Sequence, residues 1–199
     1  MLSWPDPTII QWVNDAMQGD QDAFAELVYT FQDSVYNLCY RILGERTEAE
    51  DAAQEAFLRA YTNLHRYDQT RSFKTWLLTI ASNHCIDRLR KRRLSYLSLD
   101  DPVPATLSLS SDEPEPETAT IMNQRSREIQ ILLDQLSPEY RTAVVLRYWY
   151  DYSYSEIAEM MDTTESAIKS RLFRARQTLA DKLNDTQTAG GLMNQLEEF

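Results

Sequence analysis

The stretch SEIAEMMDTTESAIKSRLFRARQTLADKL, residues 155–183, decides the fold. It reads as a short helix, a tight turn over Asp162–Glu165, and a longer basic helix. Ser153 and Glu156 sit at the spacing of a capping box, which opens the short helix. In the long helix Ile168, Leu172, Ala175 and Leu179 recur at helical spacing and form one apolar stripe. Ser170, Phe173, Arg174 and Gln177 fall on the opposite side, flanked by Lys169, Arg171 and Arg176. From Ser166 to Leu183 the one acid is Asp181. A basic face alone is most simply a solvated one. A short helix and turn ahead of it give the order of a helix-turn-helix, whose second helix enters the major groove. Arginine can read guanine bidentately there, and lysine and arginine pair with phosphates.

Upstream the pattern is also helical, and no strand alternation competes, so the expected fold is all-α. Asp6 and Pro7 predict an N-cap and first helical residue, and Gly19 a stop. Phe24, Leu27, Val28, Phe31, Val35 and Leu38 stripe a second helix, ending at Gly44. Thr47 and Glu50 predict a capping box for a third helix, which buries Ala49, Ala53, Ala56, Phe57, Ala60 and Leu64. Its other face offers Glu48, Asp51, Gln54 and Glu55. A fourth helix starts near Ser72 and ends in RLRKRR, residues 88–93. On it Phe73 and Trp76 fall on the apolar face and are core residues first.

Residues 95–122 change character, with Pro102, Pro104, Pro114 and Pro116 among Ser, Asp and Glu, the composition of a flexible linker. Residues 123–185 then form a second helical domain, against 1–94 for the first. In it Tyr140, Val144, Val145 and Tyr148 stripe the helix that Ser137 and Pro138 open. The aromatic run YWYDYSY, residues 148–154, reads as core and near-core packing rather than a base-stacking platform. The tail 186–199 is loosened by Gly190 and Gly191.

The formal net charge of -11 hides a segregation. Residues 1–70 carry 4 basic and 12 acidic side chains, residues 71–93 carry 7 and 1, and residues 94–124 carry 6 acids and no base. Blocks of opposite sign point to different partners for different segments. Cys39 and Cys85 are far apart in sequence and lack metal-ligand neighbours, as do His65 and His84, so reduced thiols in a cytoplasmic protein with no metal or cofactor are expected. No apolar run is long enough to cross a bilayer, and the N-terminus lacks the pattern of a secretion signal. Neither a nucleophile motif nor a phosphate-binding glycine loop stands out, which argues against an enzyme.

The segments GDQDAFAELV, EAEDAAQEAFLRAY, SFKTWLLTIASN and SEIAEMM…AIKSRLFRAR, taken in order, resemble the successive signatures of extracytoplasmic-function sigma factors. These are the small members of the sigma-70 family of bacterial initiation factors. The resemblance implies a subunit that binds core RNA polymerase and directs it to promoter DNA, through a region 2 domain and a region 4 domain. Asp51, Gln54 and Glu55 match the surface that grips the polymerase. Tyr67 and Asn83 match positions that contact bases of the minus-ten element, with Arg88, Arg90, Lys91, Arg92 and Arg93 holding phosphates. Lys169, Ser170, Arg171, Arg174 and Arg176 match the minus-thirty-five reader. The resemblance further implies an anti-sigma factor as regulator, and a linker that threads the polymerase cleft through Asp112, Glu113, Glu115 and Glu117. The sequence departs from the family at Asp151, where glycine is common, and at Ser166-Ala167-Ile168, where Gly-Thr-Val is usual. Asp tolerates a left-handed turn; Ala167 lacks the threonine hydroxyl. A stand-alone helix-turn-helix regulator is the alternative, and it would bind DNA tightly without polymerase.

Overall fold

The computed structural model describes residues 6–97 and 120–185, with side chains over 6–92 and 126–182. The linker carboxylates Asp112, Glu113, Glu115 and Glu117, the tail glycines and the Arg93 side chain lie outside the described residues. Among those residues every regular element is helical, with eight α-helices and one 3₁₀ turn. The chain divides into two compact units between Arg88 and Leu89.

The first unit holds α1 (Pro7–Met17), α2 (Gln21–Leu43), α3 (Arg46–Asn63), the 3₁₀ turn (Leu64–Arg66) and the start of α4 (Phe73–Leu97). The Asp6 carboxylate accepts from the Thr8 N–H at 2.9 Å and Asp20 does the same for Asp22 at 2.9 Å, so both helix starts are capped as expected. Gly44, with φ 83°, ends α2 in the left-handed region that glycine enters without strain. The expected Thr47–Glu50 box does not form. Glu45 follows the Gly44 turn directly, and its carboxylate takes the Thr47 and Glu48 N–H groups at 2.9 and 2.6 Å. Thr47 is thereby already inside the helix.

Leu27, Phe31, Val35 and Leu38 of α2 pack with Phe73, Leu77 and Leu78 of α4 in the buried core. The α3 contribution is Ala49, Ala52, Ala53, Ala56 and Ala60, small enough to let α2 and α3 approach closely. Phe57, expected in that stripe, is half-buried, and Leu64 reaches the core from the 3₁₀ turn instead. Truncating any of the buried leucines to alanine would cost about 2–5 kcal/mol.

The second unit contains α5 (Thr120–Asp134), α6 (Pro138–Tyr150), α7 (Tyr154–Met160) and α8 (Glu165–Asp185). The helices α4 and α5 run into the two ends of the segment expected as linker; the first proline after α4 is Pro102. Ser137 occupies the N-cap of α6, but its side chain makes no capping bond, and Pro138 alone supplies the expected start signal. Asp151 closes α6 with φ 55°, so aspartate sustains the left-handed turn in place of glycine. The Ser153–Glu156 capping box forms in full and opens α7. Thr163 N–H then bonds to the Ala158 carbonyl at 2.9 Å, tightening the turn into α8. Buried Ile157, Ile168, Leu172 and Leu179 join Val144, Val145 and Leu146 of α6 in the core.

Candidate protein- and DNA-binding faces

Burial of the alanine stripe turns the opposite face of α3 to solvent. Asp51 and Gln54 are exposed and Glu55 partly so. The Arg59 Nε donates to Glu55 at 2.7 Å, and this bond holds the Glu55 carboxyl below its ordinary range. One turn on, Leu58 is 61% exposed, and exposed Tyr61 meets the edge of Phe24 with ring centroids 4.9 Å apart. The face is therefore an acidic strip with an apolar end. Sequence reading missed Leu58; its signal was an apolar residue out of phase with Ala49, Ala53, Ala56 and Ala60.

The loop after the 3₁₀ turn differs from expectation. Tyr67, assigned by resemblance to base contact, is 5% exposed. Its ring packs on Phe73 and Trp76, with centroids 5.5 and 5.0 Å away, and its hydroxyl donates to the Arg71 carbonyl. Burial pushes the phenol well above its ordinary range. In this conformation Tyr67 supports the loop from beneath and offers no open stacking surface. The reason is its place between the 3₁₀ turn and α4, where the aromatic cluster needs a large ring. The exposed part of the loop is Asp68–Arg71. There the Asp68 carboxylate accepts from the Thr70 N–H at 3.0 Å and hydroxyl at 2.7 Å. Gln69 ties the loop to α1 by donating to Asn14 Oδ1 at 2.9 Å.

On α4, Asn83, Arg90 and Lys91 are exposed and Arg92 partly so. Arg88 departs from the expected phosphate row. It is half-buried toward α3, with a guanidinium nitrogen 4.0 Å from Asp51 Oδ2. Next to it His84 Nε2 is buried without a hydrogen-bond partner. Burial and then the Arg59 charge hold that imidazole below its ordinary range. Cys39 of α2 and Cys85 of α4 are free, buried thiols.

The second unit presents the α8 face as expected. Ile168, Leu172, Ala175 and Leu179 are buried, while Lys169, Ser170, Arg174, Arg176 and Gln177 are exposed and Arg171 partly so. Phe173 stands 55% exposed among them. Thr164 Oγ1 caps the helix by accepting from Ala167 N–H at 3.2 Å. Lys169 pairs with Glu165 at 2.7 Å, which holds its ammonium above its ordinary range. Arg174 donates to the Tyr140 hydroxyl at 3.4 Å and Arg176 to that of Tyr148 at 3.2 Å. The aromatic run divides accordingly. Tyr152 is buried, whereas Tyr148, Trp149, Tyr150 and Tyr154 are half-buried. Arg141, absent from the expected core, is buried and pairs with Asp134 at 2.8 Å. The sequence signal was its i, i+4 relation to Val145.

Among the described residues no group of three or more His, Cys, Asp or Glu side chains is arranged to hold a metal ion. None of the helices there is long and apolar enough to cross a membrane.

Residues 27–94 match the family described as Sigma-70 region 2, and residues 126–179 match Sigma-70, region 4. The ECF RNA polymerase sigma factor SigW of Bacillus subtilis (strain 168) is 41% identical over 179 residues, covering 87% of this chain and 95% of SigW. The RNA polymerase sigma-H factor of Pseudomonas aeruginosa is 33% identical, covering 85% of this chain and 90% of its own. Two solved structures share the fold. CnrH, solved with the cytosolic domain of CnrY, aligns with TM-score 0.64 at 23% identity over 90% of this chain and 99% of that one. The sigma factor RpoE of Bartonella quintana, solved with the anti-sigma factor NepR, gives 0.63 at 21% identity over 81% and 96%.

Proposed function

The chain belongs to the extracytoplasmic-function sigma factors of the sigma-70 family, and from that premise we propose how its two units divide the work of initiation. It is an alternative sigma factor that directs promoter-specific transcription initiation. The division rests on one observation: an acidic exposed face on α3 and a basic exposed face on α8 belong to separate units of one chain.

The α3 face, Asp51, Gln54 and Glu55, docks on core RNA polymerase, where opposite charge speeds encounter and fixes register. Loop residues 67–71 and the α4 positions Asn83, Arg90, Lys91 and Arg92 engage the minus-ten element, with Tyr67 as the loop's support. Arg88 steadies Asp51 at the docking face. The α8 face, with Lys169, Ser170, Arg171, Arg174 and Arg176, enters the major groove at the minus-thirty-five element. Residues 1–94 act as region 2, 95–122 as tether and 123–185 as region 4. The protein works in the cytoplasm, and an anti-sigma factor holds it inactive by covering one of these faces, as the anti-sigma factor NepR is bound to RpoE. The chain itself carries out no chemistry; the polymerase does.

Run-off transcription with bacterial core polymerase on a genomic promoter library tests this. Transcripts that require the chain and share upstream sequence are expected. Tight DNA binding by the chain alone, with no such transcripts, would overturn the polymerase role and favour a stand-alone regulator.

A further inference from the structure

We infer that Tyr148 is a positioning residue, whose hydroxyl holds the Arg176 guanidinium on one flank of α8 for a DNA backbone phosphate. The inference rests on the reading of α8 as the minus-thirty-five helix. Tyr148 lies on α6 and is half-buried, so its ring is fixed by the core while its hydroxyl reaches the surface. Arg176 Nη1 donates to that hydroxyl at 3.2 Å, across 28 residues of sequence. That bond holds the guanidinium above its ordinary range. A helix that packs on α8 thus supplies the bond that sets one exposed arginine.

The flank follows from helix geometry. The residue Arg176 lies seven positions after Lys169, so the two share one edge of α8, while Ser170 and Gln177 occupy the centre of the exposed face. A helix seated in the major groove meets base edges with its central face and phosphates with its flanks. A free arginine has rotamer entropy to lose on binding. Tying it in advance to a hydroxyl that only accepts from it leaves its other N–H donors for a phosphate. The position demands a phenol: phenylalanine would fill the same space and leave the arginine unaimed.

The experiment measures promoter affinity of holoenzyme reconstituted with the wild-type chain, Tyr148→Phe, Arg176→Ala and the double variant, over a range of salt and several minus-thirty-five sequences. Arg176→Ala should weaken every sequence alike and lower the salt slope by about one. Tyr148→Phe should weaken binding about three- to ten-fold, the loss of one net hydrogen bond. In the Arg176→Ala background it should cost nothing further. A Tyr148→Phe loss that persists in full without Arg176 would make Tyr148 a packing residue and overturn the inference. So would no loss from Tyr148→Phe while Arg176→Ala still weakens binding. No effect of Arg176→Ala would instead remove the reading of this α8 flank on which the inference stands.

Discussion

Asp134 and Arg141 show how far a single pair can depart from its helix pattern. The Arg141 side chain is 9% exposed and the Asp134 carboxyl 26%, with 2.8 Å between them. Burial raises the Asp134 pKa and lowers that of Arg141, each partly offset by the other's charge. Desolvation is the larger influence on each group, so the ionised pair is expected to add little net stability. A folded-state carboxyl pKa above the ordinary value favours folding below that value, and the advantage disappears as pH rises through the folded pKa. Single removal behaves differently from joint removal. Asp134→Ala removes the carboxylate that faces a buried guanidinium and should cost about 3 kcal/mol, the low end for such pairs because the carboxyl keeps some exposure. Asp134→Leu with Arg141→Met should recover most of that loss. Urea unfolding of the full chain, followed by a probe in the second unit, distinguishes the two; equal destabilisation by both variants would show that the pair stabilises outright.

Helices carry most of what the sequence made legible. The α8 stripe, the Ser153–Glu156 box and the left-handed Asp151 turn were all readable, because each depends on residues close in sequence. Less legible was which polar flank turns toward a neighbour. Arg88 has the composition of a phosphate contact but faces Asp51, and Tyr67 has the look of an exposed loop aromatic but closes a buried cluster. Both outcomes depend on how helices distant in sequence pack, which periodicity does not encode. The α3 start illustrates the same limit at shorter range. Thr47 and Glu50 had the right spacing for a capping box, yet the turn at Gly44 delivers Glu45 first. The Glu48 and Thr47 N–H bonds hold the Glu45 carboxyl below its ordinary range. A depressed carboxyl contributes stability above its ordinary pKa and loses it as pH falls through the folded value. Glu45→Gln should therefore flatten the acid side of the first unit's stability profile, with a loss at neutral pH of about 0.5–1 kcal/mol, as for other N-caps. Circular dichroism across an acid titration reads this directly. An unchanged acid limb would mean that the cap makes no difference to global stability.

At the scale of the whole molecule, a net charge of -11 opposes DNA binding by the free chain, although α8 presents a basic face. On the reading proposed above, that opposition suits a subunit that meets DNA on polymerase. Each unit alone offers a small set of contacts, weakened by long-range repulsion between the acidic blocks and the phosphates. In the proposed arrangement, docking of α3 on core polymerase holds both units near one stretch of DNA and makes the second contact intramolecular. Such linkage commonly adds a factor of about 10²–10⁴ to affinity without any new contact. Promoter DNA should therefore bind the free chain weakly and the holoenzyme at least about 100-fold more tightly. Asp51→Lys with Glu55→Lys should abolish that gain by reversing the docking charge. Both side chains lie on the solvent side of α3, away from the alanine stripe, so the helical spectrum of the free chain should persist. Their effect on free-chain DNA binding should be opposite in sign, a small increase from the lost acids. Fluorescence anisotropy with labelled promoter DNA, with and without core polymerase, measures both quantities in one titration. A chain that bound promoter DNA equally well with and without polymerase would show that its acidity has no such gating role. Retention of the full gain by the reversed variant would move the docking surface off α3.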